Sequence, residues 1–218
     1  MADADITSTD SGEGSRLPEW LTGRLGLVAA ALAIMWGLEV VDTGLGGRLD
    51  AQGIRPRRVD GLDGILWSPF LHDGFRHLIS NTIPFAVLSG LVLLRGPKRW
   101  INASIIIILL GGLLVWGLAI GSNEVHIGAS GWVFGLFGFL VASAFFERRP
   151  LSIGIGLVTL FLYGGTILFG FVPRPGLSWE AHLFGFIAGI IAARILTSRS
   201  TKSDTGSGGS GLDPAAGS

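Results

Sequence analysis

Cysteine is absent from the 218 residues of the chain. The protein can therefore form no disulfide, no thiolate metal site and no cysteine nucleophile. Charge is scarce as well, because Asp, Glu, Lys and Arg make up 15% of the chain, against roughly 25% in soluble globular domains. Basic and acidic residues balance at 16 each, so no basic surplus points to a nucleic-acid partner.

Apolar residues are abundant, at 49% of the chain, and the mean hydropathy is +0.58. A helix needs roughly 20 mainly apolar residues to cross about 30 Å of hydrocarbon. The charges are confined to short clusters between six apolar runs of suitable length, at residues 25–41, 77–94, 101–120, 128–146, 151–172 and 179–196. The pattern predicts an all-α membrane protein, a bundle of six transmembrane helices.

The chain divides into three predicted parts. Residues 1–22 are polar and acidic and lack the features of a signal peptide, so we expect a cytoplasmic N-terminal segment. Residues 23–197 form the six-span membrane domain, and the Gly/Ser-rich residues 198–218 predict a disordered tail. Between the first two spans lies a long connection whose apolar stretch is too short to span. We expect it to lie at the membrane interface, with Trp67 at headgroup level.

The distribution of Lys and Arg predicts the orientation of the spans in the membrane. With the N-terminus inside, the cytoplasmic segments carry most of the basic residues, although the first outer loop is also basic. We therefore expect a multi-pass protein of the cell membrane with both termini in the cytoplasm.

Four polar residues occur where lipid chains should lie: His77, Asn81, Ser130 and His182. Each has a structural explanation, such as a small residue at a helix contact or a hydrogen bond between helices. In the predicted topology, however, His77, Ser130 and His182 lie at the outer ends of spans two, four and six. Polar groups that agree in side and depth on three spans indicate a functional site.

The residue types suit nucleophilic hydrolysis, which needs an activated hydroxyl, a base and donors for an oxyanion. Ser130 stands near a helix N-terminus, and we expect Gly128 and Gly131 to let a substrate backbone approach it. His126 is a possible base, but its loop position predicts a poorly fixed side chain. His182 is the better candidate, because its helix carries small residues that can pack on the fourth span, namely Ala181, Gly185, Ala188 and Gly189.

No acid is well placed to complete a triad, since Glu180 lies on a different helix face from His182. The pattern therefore predicts a Ser130–His182 dyad, with packing in place of an aspartate to orient the ring. Phe134, one turn after Ser130, could stack on the imidazole. His77 and Asn81, four residues apart on one helix face, are candidate oxyanion donors.

Three motifs in this order resemble those of the bacterial rhomboid family of intramembrane serine proteases, across residues 25–196. They are Gly128-Ala129-Ser130-Gly131, His77-Leu78-Ile79-Ser80-Asn81 and Ala181-His182-Leu183-Phe184-Gly185. The resemblance implies a Ser130–His182 dyad and an oxyanion hole of His77, Asn81 and backbone N–H groups. It also implies a family histidine at His72, a membrane-embedded first loop and an aromatic residue at Phe134 that packs on the histidine. Asp63-Gly64 stands where some members carry a Trp-Arg pair.

The implied activity is cleavage of single-span membrane proteins within the lipid bilayer, with no cofactor and no metal. A catalytically inactive rhomboid-like protein that binds membrane clients is the alternative, although such a protein would be expected to lose the serine or a histidine. A transporter or channel usually carries ionisable residues along several spans or an internal repeat. Here acids are nearly absent from the spans, with Glu39 as the exception, so this class is disfavoured. Other intramembrane protease chemistries are disfavoured, because the sequence contains neither an H-E-x-x-H zinc motif nor a pair of aspartates within the spans. The oligomeric state stays open.

Overall fold

The computed structural model describes residues 19–120, 124–174 and 176–206, with side chains described within 23–120, 124–174 and 176–198. In these ranges a short helix, α2, and six long helices succeed one another. Their bounds are α1 Glu19–Leu45, α2 Gly64–Trp67, α3 Phe75–Leu93, α4 Pro97–Leu118, α5 Ser130–Glu147, α6 Pro150–Gly170 and α7 Trp179–Gly206. The six long helices are apolar enough to cross a membrane. The predicted six-span, all-α bundle is confirmed.

The ends of the chain lie partly outside the described residues. Residues 1–18, most of the predicted N-terminal segment, and residues 207–218 of the predicted tail belong to that part. Helix α7 continues to Gly206, well past residue 198 where the tail was predicted to begin. Its apolar, membrane-spanning portion nevertheless ends at Ser198, which agrees with the predicted limit of the last span.

Helix α5 stands at the centre of the bundle. In its most apolar stretch 61% of the residues are buried, against 28–39% for the other five long helices. A Cβ at Gly185 or Gly189 of α7 would overlap the carbonyl oxygen of Gly131 or Gly135 of α5. The two backbones can be this close only because these residues are glycines. The predicted small-residue contact between the fourth and sixth spans is confirmed.

The connection between α1 and α3 contains three 3-10 turns and α2, and Trp67 is 52% exposed. Asp63 caps α2 by accepting a hydrogen bond from the Gly64 N–H, at 3.0 Å. A Cβ at Gly64 would overlap the backbone of Gly53, so glycine allows two segments of this loop to touch. The Asp63-Gly64 pair therefore folds the loop by a backbone contact, where a larger side chain would not fit.

At the end of the bundle remote from Ser130, Glu147 of α5 is almost buried. It pairs with Arg95 and Arg99, which flank the start of α4, and accepts a hydrogen bond from Ser152 of α6 at 2.6 Å. A buried carboxylate needs such partners to offset the loss of its hydration. The cluster fixes α4, α5 and α6 relative to one another.

Candidate active site

Ser130 is the first residue of α5, and the loop that leads into it rests on the connection between α1 and α3. The Gly128 N–H donates to the Ser68 carbonyl at 2.8 Å, and the Ala129 N–H donates to Nε2 of His72 at 3.2 Å. Burial, with a smaller effect of the nearby His77, lowers the pKa of His72 to about 4. His72 is therefore neutral at physiological pH, as an acceptor at Nε2 must be. Its place in the structure is that of a support for the serine loop.

His182 is 4% exposed and fixed in orientation by two contacts. Its Nδ1 lies 2.7 Å from the carbonyl oxygen of Gly170, at the end of α6. A carbonyl can only accept, so Nδ1 carries the proton and Nε2 of the neutral ring keeps its lone pair. The Phe134 ring stacks on the imidazole with centroids 4.1 Å apart and planes 8° apart. Among the described residues no carboxylate hydrogen-bonds to His182.

The stacked rings of Phe134 and His182 are supported by close packing of α6 and by two further aromatic rings. A Cβ at Gly170 would collide with the Phe134 ring, so this glycine permits the close approach of α6 to α5. Phe171 meets Phe134 edge to face at 5.3 Å, and Phe186 of α7 in turn meets Phe171 at 5.7 Å. Edge-to-face aromatic pairs at these distances are favourable. The ring that faces His182 is thereby held by three helices.

A cavity of about 690 Å³ brings the predicted residues together, because Ser130, His182 and His77 all line it. The remaining wall combines charged and apolar residues. Within the described part of the chain, no hydrogen bond joins the Ser130 hydroxyl to His182. Such contacts in unliganded enzymes are often long and shorten when substrate binds. The arrangement can support nucleophilic attack by a serine with an imidazole as base.

Gly128 has a packing role that the sequence did not predict. It adopts φ +114°, and a Cβ there would lie 2.6 Å from Cε1 of His77. At Gly131, a Cβ would lie 3.2 Å from the Ala181 carbonyl of α7. The space that a side chain would take at these two positions is filled by the His77 ring and by α7, so both glycines have a packing role, and the approach of a substrate backbone here stays a prediction.

Asn81 lies one helical turn after His77 on α3 and is 7% exposed. Its Nδ2 is buried and has no hydrogen-bond partner among the described residues. An amide donor without a partner is costly in a buried position, so its retention calls for a reason. Unlike His77, Asn81 is not part of the cavity wall as the structure defines it.

His126 differs from its expectation as a poorly fixed loop side chain, and that expectation is wrong. It is 3% exposed, and its backbone forms two hydrogen bonds with Ile54, at 2.9 and 3.0 Å. Its Nδ1 is hydrogen-bonded to the Ser178 hydroxyl in the loop before α7. Burial lowers the pKa of His126, while Glu180 and Glu124 oppose that shift. The charge of Glu180 thus acts on His126, and His126 joins three loops beside Ser130.

Sequence reasoning missed the charged wall of the cavity and the acceptor for His182. Charged residues from three connections between helices line the cavity: Asp50, Arg55, Asp73, Glu124 and Arg174. They follow no sequence spacing, because they lie at irregular intervals in the connections that precede α3, α5 and α7. The acceptor is a backbone carbonyl, which every residue carries, so no residue type could have indicated it.

Comparison of the sequence with known proteins identifies its family. The model of the rhomboid domain matches residues 61–199. An uncharacterised protein of Mycobacterium tuberculosis is 40% identical over 203 residues, which cover 89% of this chain and 83% of the relative. Arabidopsis thaliana RHOMBOID-like protein 5 is 31% identical, over 60% of this chain and 42% of its own. A Bacillus subtilis protein provisionally named rhomboid protease YdcA is 27% identical, over 56% and 60% of the two chains. The chain belongs to the rhomboid family.

Proposed function

We propose that the protein is an intramembrane serine endopeptidase that cleaves single-span membrane proteins, with Ser130 as nucleophile and His182 as general base. One observation carries the proposal. His182 shares a cavity with Ser130, and its Nδ1 is committed to the Gly170 carbonyl, which leaves Nε2 as the basic nitrogen. Stacking on Phe134 holds the ring in the orientation that an aspartate fixes in a triad.

The reaction follows from these positions. Nε2 of His182 takes the Ser130 proton as the hydroxyl oxygen attacks the carbonyl carbon of the scissile peptide bond. The resulting imidazolium gives that proton to the leaving amine, and an acyl-enzyme ester on Ser130 remains. Water entering through the polar cavity then attacks the ester, with His182 again as base, and releases the new carboxyl terminus.

The negative charge of the tetrahedral intermediate requires donors close to Ser130. The start of α5 supplies backbone N–H groups that have no partner within the helix, together with the positive end of its dipole. His77 borders the same cavity from α3, and the unpartnered Nδ2 of Asn81 lies one turn further along. We assign both side chains to oxyanion stabilisation.

Removal of an oxyanion donor should slow the chemical step without removing the nucleophile. We expect Asn81→Ala to lower kcat by about two to three orders of magnitude with little change in KM. His77→Ala should behave similarly, with some loss of stability because the ring fills the space beside Gly128. Steady-state kinetics in liposomes, with a thermal unfolding check, measures both. An unchanged kcat in folded Asn81→Ala would make Asn81 a purely structural residue.

A serine-directed phosphonate probe tests the proposed function directly. We expect the wild-type protein to be labelled at Ser130, to lose cleavage of a single-span model substrate in proportion, and to be unaffected by a chelator. Asn81→Ala should still be labelled, though slowly, because it retains the nucleophile and base. A folded wild-type protein that is neither labelled nor active would support the alternative, a rhomboid-like protein that binds membrane clients without cleaving them.

We further propose that the cavity opens on the extracytoplasmic side, with both termini in the cytoplasm. The end of the bundle remote from Ser130 carries a group of basic residues, namely Arg95, Lys98, Arg99, Arg148 and Arg149, and cytoplasmic loops are enriched in such residues.

Two single-cysteine variants test the orientation, and no native cysteine interferes. Gln52 and Lys98 are both exposed and lie at opposite ends of the bundle. We expect Gln52→Cys to react with a membrane-impermeant thiol reagent on intact cells, and Lys98→Cys to react only after the membrane is permeabilised. The reverse pattern would invert the topology.

A further inference from the structure

Two carboxylates form part of the cavity wall near His77. Asp50 belongs to the 3-10 turn Leu49–Gln52 that follows α1, and Asp73 precedes α3 by two residues. Both line the same cavity as Ser130 and His182. They have no part in the proposed hydrolysis, which uses a serine, a histidine and neutral donors. Their presence on this wall needs a separate explanation.

Behind them, the end of α1 contributes two more carboxylates. Glu39 is 3% exposed and Asp42 is 5% exposed. Asp42 accepts a hydrogen bond from the Leu49 N–H at 2.6 Å, but one oxygen of Glu39 and one of Asp50 are buried without any partner among the described residues. Burial, and then the charges of Asp42, Asp73 and Glu39, raise the pKa of Asp50 to about 6. The carboxylates therefore lie close enough for their charges to act on one another.

Among the residues that the structure describes, no Lys or Arg neutralises this group. In the described ranges, none of the four carboxylates forms an ion pair with Lys or Arg, whereas Asp60 and Glu147 do. Arg55 lines the cavity but is bound to Asp60 at 3.2 Å and to the Ala51 carbonyl at 3.1 Å. Arg174 enters the cavity wall from the loop between α6 and α7 and lies over the Phe169 ring. Asp50 is half-buried and Asp73 is exposed. A cation from outside would offset the lost hydration of the first and the repulsion between the two.

We propose that Asp50 and Asp73 form a subsite that binds a lysine or arginine side chain of the substrate, close to the scissile bond. The inference rests on the proposed protease function and adds a substrate class to it. Two carboxylates on one wall suit a guanidinium or ammonium group, to which charge-assisted hydrogen bonds are strong. A basic residue at the end of a transmembrane segment already directs its charged head out of the lipid on a long stem. The favoured substrates are therefore single-span proteins with such a residue beside the cleavage site.

A metal ion is the other cation to consider. Within the part of the chain that the structure describes, no three His, Asp or Glu side chains are arranged to hold a metal. A divalent ion requires more ligands at close range than the two that Asp50 and Asp73 offer. A long basic side chain needs fewer protein ligands, and the cavity is open enough to admit it. The side chain is the occupant that fits.

The test compares substrates that differ at one position. Each residue flanking the scissile bond of a model substrate is replaced in turn by Lys, Gln or Glu, and kcat/KM is measured in liposomes. We expect one or two positions at which Lys exceeds Gln by about five- to twentyfold and Glu falls below Gln. Asp50→Asn combined with Asp73→Asn should reduce the Lys-to-Gln ratio to about one. Asp63→Asn, a carboxylate of the same loop outside the cavity, is the matched control and should keep the ratio.

Two conditions sharpen the result. The Lys-to-Gln ratio should fall as the pH is lowered through about 6, because protonation of Asp50 removes a charge from the subsite. Other titratable or charged groups also face this region, namely Glu39, Asp42, Asp73, Arg55 and His77. A pH effect on catalysis itself changes the rates for Lys and Gln substrates equally, so it cancels in the ratio. A chelator should leave the ratio unchanged. A ratio that collapses with chelator would assign the carboxylates to a metal and overturn the subsite.

The outcomes separate the two proposals. If Gln substrates are cleaved but Lys gives no advantage at any position, the subsite is overturned and the protease stands. If no substrate is cleaved by folded wild-type protein, the proposed function itself fails. Should the double Asn variant not fold, Asp50→Glu combined with Asp73→Glu must retain the preference for Lys, and loss of that preference would equally reject the subsite.

Discussion

Ser130→Ala and His182→Ala should each lower the rate of cleavage of a single-span substrate by about 10⁴-fold or more. Attack requires both the hydroxyl and the nitrogen that removes its proton, so loss of either removes the same step. The double variant should therefore be little slower than each single variant. Cleavage is measured in liposomes, and thermal unfolding shows whether each variant is folded.

Ser143→Ala is the matched control for this series. Ser143 lies on the same helix, is fully buried, and its hydroxyl has no hydrogen-bond partner among the described residues. Its removal should leave cleavage close to the wild-type rate. Substantial proteolysis by folded Ser130→Ala, or additive losses in the double variant, would remove the dyad from consideration.

Gly189→Val should destabilise the bundle strongly, with an expected fall in Tm of about 5–10 °C. A Cβ at this position overlaps the carbonyl of Gly135, so α7 must move away from α5. Overpacking of this kind costs about 1–3 kcal/mol, and each kcal/mol shifts Tm by roughly 2–4 °C in a domain of this size. Activity should fall as well, since α7 carries His182. Thermal unfolding in detergent and cleavage in liposomes measure the two effects.

Gly164→Val provides the same change of residue at a position where the added Cβ would meet nothing within 4 Å outside its own stretch of helix. Its effect on helix propensity matches that at Gly189, so the difference between the two variants isolates the contact between α5 and α7. Equal Tm values for the two variants would show that the contact does not stabilise the bundle.

The sequence predicted the spans well because the bilayer leaves a strong signal. A helix that faces lipid must be apolar over about 20 residues. All the predicted runs but the last have a C-terminal limit within a few residues of the end of the observed helix. The contact of α5 with α7 was predictable for a related reason, since small residues at spacings of four have few other uses in a membrane helix. These two features depend on residue type and spacing alone.

The remaining details of the site depend on three-dimensional contacts that sequence spacing does not encode. His126 was expected to be loosely held, because nothing in its neighbours reveals that Ile54, far away in sequence, pairs with its backbone. Gly128 was interpreted as an opening for substrate, and nothing in its neighbours reveals that its missing side chain also accommodates His77. Asp50 and Asp73 drew no attention because charged loop residues are common. Only their meeting in one cavity makes them notable.

The bond between His182 and the Gly170 carbonyl has a consequence for how the protein tolerates sequence change. Every amino acid carries a carbonyl, so no point substitution at position 170 can delete the acceptor that sets the tautomer of the base. A deletion of one residue within α6 would instead rotate its last turn by about 100° and direct that carbonyl elsewhere. Orientation of the histidine thus depends on the length of α6 and, at Gly170, on the space that this glycine leaves for the Phe134 ring. In divergent sequences, the number of residues in this helix should vary less than their identity.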